Sequence, residues 1–226
     1  MNVLGIDTST VTGGVALLSD DRLVGESVLN IRTTHSERLL PALERLLADA
    51  GITVKELDLL SVVTGPGSFT GLRIGVGTAK GLSYALGVPI VGVTTLEGYG
   101  WQFKFFPGIV VAMVDARREN VFWQAFREGI ALVDPSYGSL QSVLDWCSCS
   151  KRSEEQFLFV GDGAINYGEQ IRASQSVPPS QNLLRPSAVA HLGYTRYLQG
   201  EHSDAFSLNP TYMRQTEAER KWQEQM

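Results

Sequence analysis

The chain has 226 residues, 43% hydrophobic and 19% charged, with a formal net charge of −5. This composition excludes intrinsic disorder, and the acidic balance excludes a general electrostatic footprint for nucleic acid. A chain of this length buries a sizeable core, as one large domain or as two lobes of roughly 100 residues each.

The opening Met1-Asn2-Val3-Leu4-Gly5-Ile6-Asp7 lacks the basic region and long apolar run of a signal peptide. The longest apolar run, Ile109 to Val114, is far too short to span a bilayer. Cys147 and Cys149 suit neither a disulfide framework nor a four-ligand zinc site. The expectation is a cytoplasmic protein with reduced thiols and no membrane segment.

In chain order, Val3 to Ile6, Val15 to Leu18 and Leu23 to Leu29 read as three strands of an antiparallel meander. Asp7 then lies at the carboxyl end of the first strand, opposite the Gly13-Gly14 return. In nucleotide-binding lobes of the actin and sugar-kinase kind, such a hairpin holds phosphate and its aspartate helps to hold magnesium. Taken by themselves, Asp7-Thr8-Ser9-Thr10 better suit a turn closed by local hydrogen bonds.

Thr34-His35-Ser36-Glu37 fits a capping box, followed at helical spacing by Leu39, Leu40, Leu43, Leu46, Leu47 and Ala50, with Gly51 as the stop. Pro41 inside the pattern predicts a kink or a late true start. The leucine stripe is broad enough to face a sheet and leave part for a partner. His35 has no second histidine nearby and reads as a helix-start residue.

Leu57 to Thr64 is the next strand, ending in Gly65-Pro66-Gly67, and a helix follows from Phe69 to Leu86. The turn's amides point past the strand's end, where an anion could sit; the same residues also make a plain tight turn. Gly71, Gly75, Gly77 and Gly81 lie inside that helix, at about 1 kcal/mol each against alanine. Pairs four apart share a face, which lets another backbone approach closely. Pro89 to Val93 is a strand, and a helix through Gln102 leads to Pro107-Gly108, where the lobes are expected to divide into residues 1–106 and 107–226.

The second lobe restarts the same order. Ile109 to Val114 ends in Asp115-Ala116-Arg117-Arg118, Val121 to Arg127 is its hairpin partner, and Ile130 to Val133 is a third strand. Strand, aspartate, turn, strand thus occurs twice, the faint repeat of an α/β, actin-like (ribonuclease-H-like) fold with a mixed sheet flanked by helices in each lobe. Asp7 and Asp115 take equivalent places. A weak helix (Leu140 to Trp146), a polar loop (Ser148 to Glu155), a strand (Phe157 to Val160) and the glycine turn Gly161-Asp162-Gly163-Ala164 follow. Ser174 to Ser187 reads as a surface loop and Ser187 as the cap of a helix to about Gln199. Asn209 to Arg214 is extended, and the charged tail from Gln215 is a solvated helix or frayed end.

Three familiar chemistries fail on spacing. Gly65, Gly67 and Gly71 miss the dinucleotide fingerprint by one residue, and Lys80 is not in a Gly-Lys-Ser/Thr loop. His35, His191 and His202 are scattered, with no Gly-x-Ser-x-Gly and no His-Glu-x-x-His.

From Gly65 to Gly75 the chain closely resembles the TsaB (YeaZ) family. Gly5-Ile6-Asp7-Thr8-Ser9, His35 to Pro41, Pro89 to Val93, Asp115 to Arg118 and Pro210 to Arg214 resemble the family's other signatures, in its order. Between Ala131 and Pro186 only Gly161-Asp162-Gly163 matches. The resemblance implies an actin-like fold and an accessory role in making threonylcarbamoyladenosine in tRNA. It implies the catalytic paralogue TsaD and the ATPase TsaE as partners, tRNA contact only through the complex, and a homodimer when alone. The paralogue's metal motif, Val-x-His-Met-Glu-Gly-His, falls on Val93 to Tyr99, where the histidine positions hold Thr95 and Tyr99. Neither is a usual iron or zinc ligand, so the resemblance implies no catalytic residues and no metal.

The expected partner-binding residues are Leu39, Leu43 and Leu46 on one helix and Gly71, Ile74, Gly75 and Thr78 on the other. Asp7, Thr8, Ser9 and Asp115 are the residues of a residual nucleotide site, with ATP or ADP and magnesium at the partner interface and no cofactor of the chain's own. The rival readings are an actin-like kinase or ATPase using Asp7 and Asp115, and a metallopeptidase.

Overall fold

The computed structural model describes residues 1–31, 35–150, 155–171, 177–211 and 213. Its first sheet begins with the meander β1 (Asn2–Asp7), β2 (Thr12–Ser19) and β3 (Arg22–Asn30). Helix α1 (His35–Ala50) leads to β4 (Leu59–Gly65), α2 (Phe69–Leu86), β5 (Ile90–Thr94) and α3 (Thr95–Gln102). The strand order is β3-β2-β1-β4-β5, with β4 and β5 parallel to β1.

The second sheet opens with β6 (Ile109–Asp115) and β7 (Asn120–Arg127), followed by the short strands β8 (Ile130–Ala131) and β9 (Ser136–Ser139). After α4 (Leu140–Ser150), β10 (Phe157–Val160) adds parallel to β6 on its other side. Helices α5 (Asp162–Asn166), α6 (Gly168–Ile171) and α7 (Pro186–Leu198) complete the described fold. Both sheets are open and mixed, in the arrangement of the actin-like fold.

Strands β1, β2 and β4 are continuous apolar runs because both faces of the first sheet are covered. On one face Leu4, Ile6, Val15, Leu17, Leu60 and Val62 pack against the leucines of α1 and against Val76 and Ala79 of α2. On the other, α7 lies so close that a Cβ on Gly5 would collide with Ala190, and Ser61 Oγ donates to the Val189 carbonyl at 2.7 Å. The strands thus divide near residue 107, but the helices do not: α7 packs on the first sheet while α3 packs on β6 and β7.

Several sequence expectations need correction. Helix α1 starts at His35 and runs through Pro41, so there is no late start; its expected cap, Thr34, lies outside the described residues. The strand expected to reach Val133 stops at Ala131, where the chain bends at Leu132 and Val133, and Ser136–Ser139 pairs with β7 instead. Helix α4 extends through Ser150, into the expected polar loop, with Ser148 Oγ donating back to the Leu144 carbonyl at 2.9 Å.

The proline-rich stretch is anchored in the core, not a plain surface loop: Val177, Asn182 and Leu184 are buried. The Asn182 side chain accepts from the Gly161 amide at 2.6 Å and donates to its carbonyl at 3.2 Å. Helix α7 begins on Pro186, whose missing amide suits the first helical position, and Ser187 is therefore not its cap. The Ser187 amide donates to Glu26 Oε1 at 2.8 Å. Tyr212 and the chain from Arg214 onward lie outside the described residues.

Candidate partner-binding face and interlobe cleft

The Gly65-Pro66-Gly67-Ser68 turn sets the start of α2. Gly65 sits at φ +130°, which only glycine adopts without strain, and Ser68 Oγ accepts from the Gly71 amide at 3.2 Å as the helix cap. The Ser68 amide donates to the Ser9 carbonyl at 2.6 Å, and Thr8 Oγ1 donates to the Gly71 carbonyl at 2.8 Å. The first turns of α2 are therefore pressed onto the β1–β2 hairpin. A Cβ on Gly67 would collide with the Ser9 carbonyl, on Gly71 with the Thr8 carbonyl, and on Gly75 with the Thr8 hydroxyl.

Gly77 and Gly81 differ: nothing lies within 4 Å of where their Cβ atoms would stand. Helix α2 thus has one glycine face spent inside the chain and one open outward, continued by the exposed Thr70, Arg73 and Tyr84. Ile74 and Thr78 are half-buried between the two faces.

Leu39, Leu43 and Leu46 point into the chain's own first sheet. They cannot form the outer surface of α1, because the spacing that groups them on one face places them all under the sheet's cover. What α1 presents outward is Leu40 (48% exposed), Pro41, Glu44 and Arg45. The apolar Leu40 on the polar face was the available sequence signal. His35 opens α1 with Nε2 2.8 Å from the Thr10 carbonyl, tying the helix start to the hairpin.

The two aspartates that sequence symmetry pairs are built differently. Asp7, directly across from Gly14, is fully buried; Oδ1 accepts from the Ser9 amide at 2.8 Å while Oδ2 and the Ser9 hydroxyl have no partner among the described residues. Burial pushes the Asp7 carboxyl up to about 6, against the opposing pull of the Ser9 amide hydrogen bond and the nearby His35. Asp115 is engaged on both oxygens: Oδ1 accepts from the Arg117 amide and the Tyr167 hydroxyl, each at 2.8 Å, and Oδ2 from Asn166 Nδ2 at 3.0 Å.

Between them, Tyr99 is raised by burial and then by the charges of Asp162 and Asp7. The Asp162 carboxyl, itself raised mainly by burial, accepts from the Asp115 amide at 3.0 Å. Among the described residues, Asp7 Oδ2, the Ser9 hydroxyl and Gln124 Oε1 are the buried side-chain atoms without a hydrogen-bond partner.

At the metal-motif positions, Thr95 Oγ1 donates to the Pro66 carbonyl at 2.6 Å and Tyr99 is buried. Thr94 and Glu97 form a capping box at the start of α3, with bonds of 3.1 and 2.9 Å. Glu97 Oε1 also accepts from Arg196 Nη2 at 2.6 Å, and Arg196 Nη1 donates to the Gly92 carbonyl at 3.0 Å. The retained glutamate therefore works as a helix cap and ion-pair partner. Among the described residues, no three His, Cys, Asp or Glu side chains are grouped to hold a metal ion, and no helix is long and apolar enough to cross a membrane.

Comparison with known proteins agrees with this construction. Residues 24–222 match the model of the family described as TsaD, tRNA N6-adenosine threonylcarbamoyltransferase. The Bacillus subtilis tRNA threonylcarbamoyladenosine biosynthesis protein TsaB is 34% identical over 228 aligned positions, covering 98% of each chain. A Pseudomonas aeruginosa structure described as similar to the peptidase YeaZ superimposes with a TM-score of 0.80 at 27% identity, over 94% of this chain and 99% of that one. The fold alone is shared with component A of Acidaminococcus fermentans (R)-2-hydroxyglutaryl-CoA dehydratase, at a TM-score of 0.52 and 11% identity over 88% of this chain and 99% of that one. The chain belongs to the TsaB (YeaZ) family, the non-catalytic paralogues of the TsaD threonylcarbamoyltransferases.

Proposed function

We propose that this chain is the accessory subunit of a TsaD-type transferase and supports threonylcarbamoyl transfer to N6 of adenosine 37 in tRNAs that read codons starting with A. The observation that carries this reading is the rebuilt α3: where the catalytic paralogue has metal-binding histidines, Thr95 is tied to Pro66 and Tyr99 is buried. The paralogue supplies the chemistry and this chain supplies a surface.

That surface, in this proposal, is the outward face of α1 and α2: Leu40, Gly77, Gly81 and Tyr84, with Ile74 and Thr78 at its edge. Two open helical glycines cost about 1 kcal/mol each without any contact inside the chain, which an approaching backbone would offset. The same face would serve a homodimer when the chain is alone. TsaE is the further partner, tRNA engages through the complex, and ATP or ADP with magnesium would sit at the interface. Asp7 Oδ2 and the Ser9 hydroxyl are the free groups this chain could contribute there.

Depletion of the protein followed by mass spectrometry of tRNA tests the function; unchanged threonylcarbamoyladenosine at the expected adenosine would refute it. Size exclusion with the paralogue tests the surface. Gly77→Asp and Leu40→Asp should abolish the heterodimer while leaving the monomer folded, and an intact complex would show the surface to be elsewhere.

A further inference from the structure

The turn between β6 and β7 has an unusual composition for its backbone. Arg117, Arg118 and Glu119 stand in succession at φ +69°, +54° and +58°, the left-handed region that glycine or asparagine enters most easily. All three side chains are exposed.

This strained backbone is held from several directions. Asp115 Oδ1 accepts from the Arg117 amide at 2.8 Å, and Asn120 Nδ2 donates to the Arg118 carbonyl at 2.9 Å. The Tyr167 hydroxyl donates to Asp115 at 2.8 Å. The Glu119 carbonyl in turn accepts from the Leu140 amide at 2.8 Å, which ties the turn to the start of α4. A conformation this over-determined, carrying residues that disfavour it, indicates that the side chains are what the turn serves.

Among the described residues, neither guanidinium is neutralised. Arg45, Arg127, Arg185 and Arg196 each pair with a carboxylate, whereas Arg117 and Arg118 form no ion pair among the described residues, not even with the adjacent Glu119. The turn joins two strands of the second sheet, whereas α1 and α2 pack on the first. A partner docked on those helices leaves the turn free for the third component of the reaction.

We propose that Arg117 and Arg118 bind the phosphodiester backbone of the substrate tRNA, so that the accessory subunit holds RNA directly within the complex. A guanidinium fork matches paired phosphate oxygens, and a stiff turn presents two such forks at little further ordering cost. With a net charge of −5, the chain attracts RNA only at such local points, which is consistent with contact made inside the complex and not by the free subunit.

The inference rests on the accessory-subunit reading, and one experiment separates the two. Binding of an unmodified tRNA transcript to the purified heterodimer is measured as a function of salt, for the wild type and for the double variant Arg117→Asn/Arg118→Asn. Asparagine tolerates the left-handed region, so the variant keeps the turn. Loss of two phosphate contacts should lower the slope of log K against log salt by about 1.4–1.8, with weaker binding at low salt. An unchanged slope with an intact heterodimer overturns the inference and leaves the accessory reading standing. Loss of the heterodimer in the variant also overturns it, since the arginines would then face the protein partner. A wild-type chain that forms no complex refutes both.

Discussion

Thr8 and Gly71 meet twice. The Thr8 hydroxyl donates to the Gly71 carbonyl at 2.8 Å, and the Thr8 carbonyl stands where a side chain on residue 71 would be. One contact closes the hairpin at the end of β1 against the first turns of α2. A loop that looks from sequence like a phosphate cradle is therefore a packed joint, and it aims the helix whose other face is open.

The glycines of α2 should separate cleanly on substitution. Gly71→Ala and Gly75→Ala press a methyl group into Thr8, and overpacking of this kind costs about 1–3 kcal/mol. Gly77→Ala and Gly81→Ala enter open space and should stabilise the free chain by about 1 kcal/mol each, raising Tm by about 2–4 °C. If α2 is the partner face, the last two variants weaken the heterodimer while the monomer becomes more stable. Calorimetry and size exclusion on the same samples read both effects.

Stability should fall as pH rises through the range of Asp7. Its carboxyl titrates near 6 in the folded chain and near 3.8 when unfolded, because burial disfavours the charge. The favourable contribution is thus complete below 3.8 and lost by pH 6, about 3 kcal/mol in all. Asp7→Asn removes the titration. Its urea midpoint relative to wild type should climb between pH 4 and 6 and then level off; a constant difference would contradict the burial argument.

The two cysteines should react at very different rates. Cys147 is buried in the core of the second lobe and burial pushes its thiol up to about 12, while Cys149 is exposed. At pH 8 a disulfide-exchange reagent should titrate one thiol in the folded protein and two after unfolding.

Arg196 and Glu97 clasp the two exchanged helices, α7 and α3. Burial alone would raise Glu97, but the Arg196 hydrogen bond and charge, with the Thr94 backbone and side chain, hold it below the ordinary carboxylate range. The stabilisation is present above pH 4.5 and fades as pH falls through the lowered value. Arg196→Met should cost about 1–2 kcal/mol at pH 7, and denaturant curves in acid should bring variant and wild type together.

Much of this molecule follows from its sequence. Helix α2 runs over Phe69–Leu86, and the meander, β6, β7 and β10 lie where the apolar runs place them, since period and turn residues are local properties. The substitution of Thr95 and Tyr99 at the paralogue's metal positions is likewise legible, because it depends on residue identity alone.

Which face of an element meets what is a different matter. The stripe of Leu39, Leu43 and Leu46 says that α1 has an apolar side, but only the sheet's position makes that side core and leaves Leu40 outside. Asp7 and Asp115 occupy matching sequence positions, yet the first is fully buried while Asn166 and Tyr167 bond the second, which stays partly exposed. Four similar glycines divide into two filled and two open only once the hairpin stands against the helix. Periodicity encodes that a face exists; long-range packing decides whether it is buried, engaged or left for another molecule.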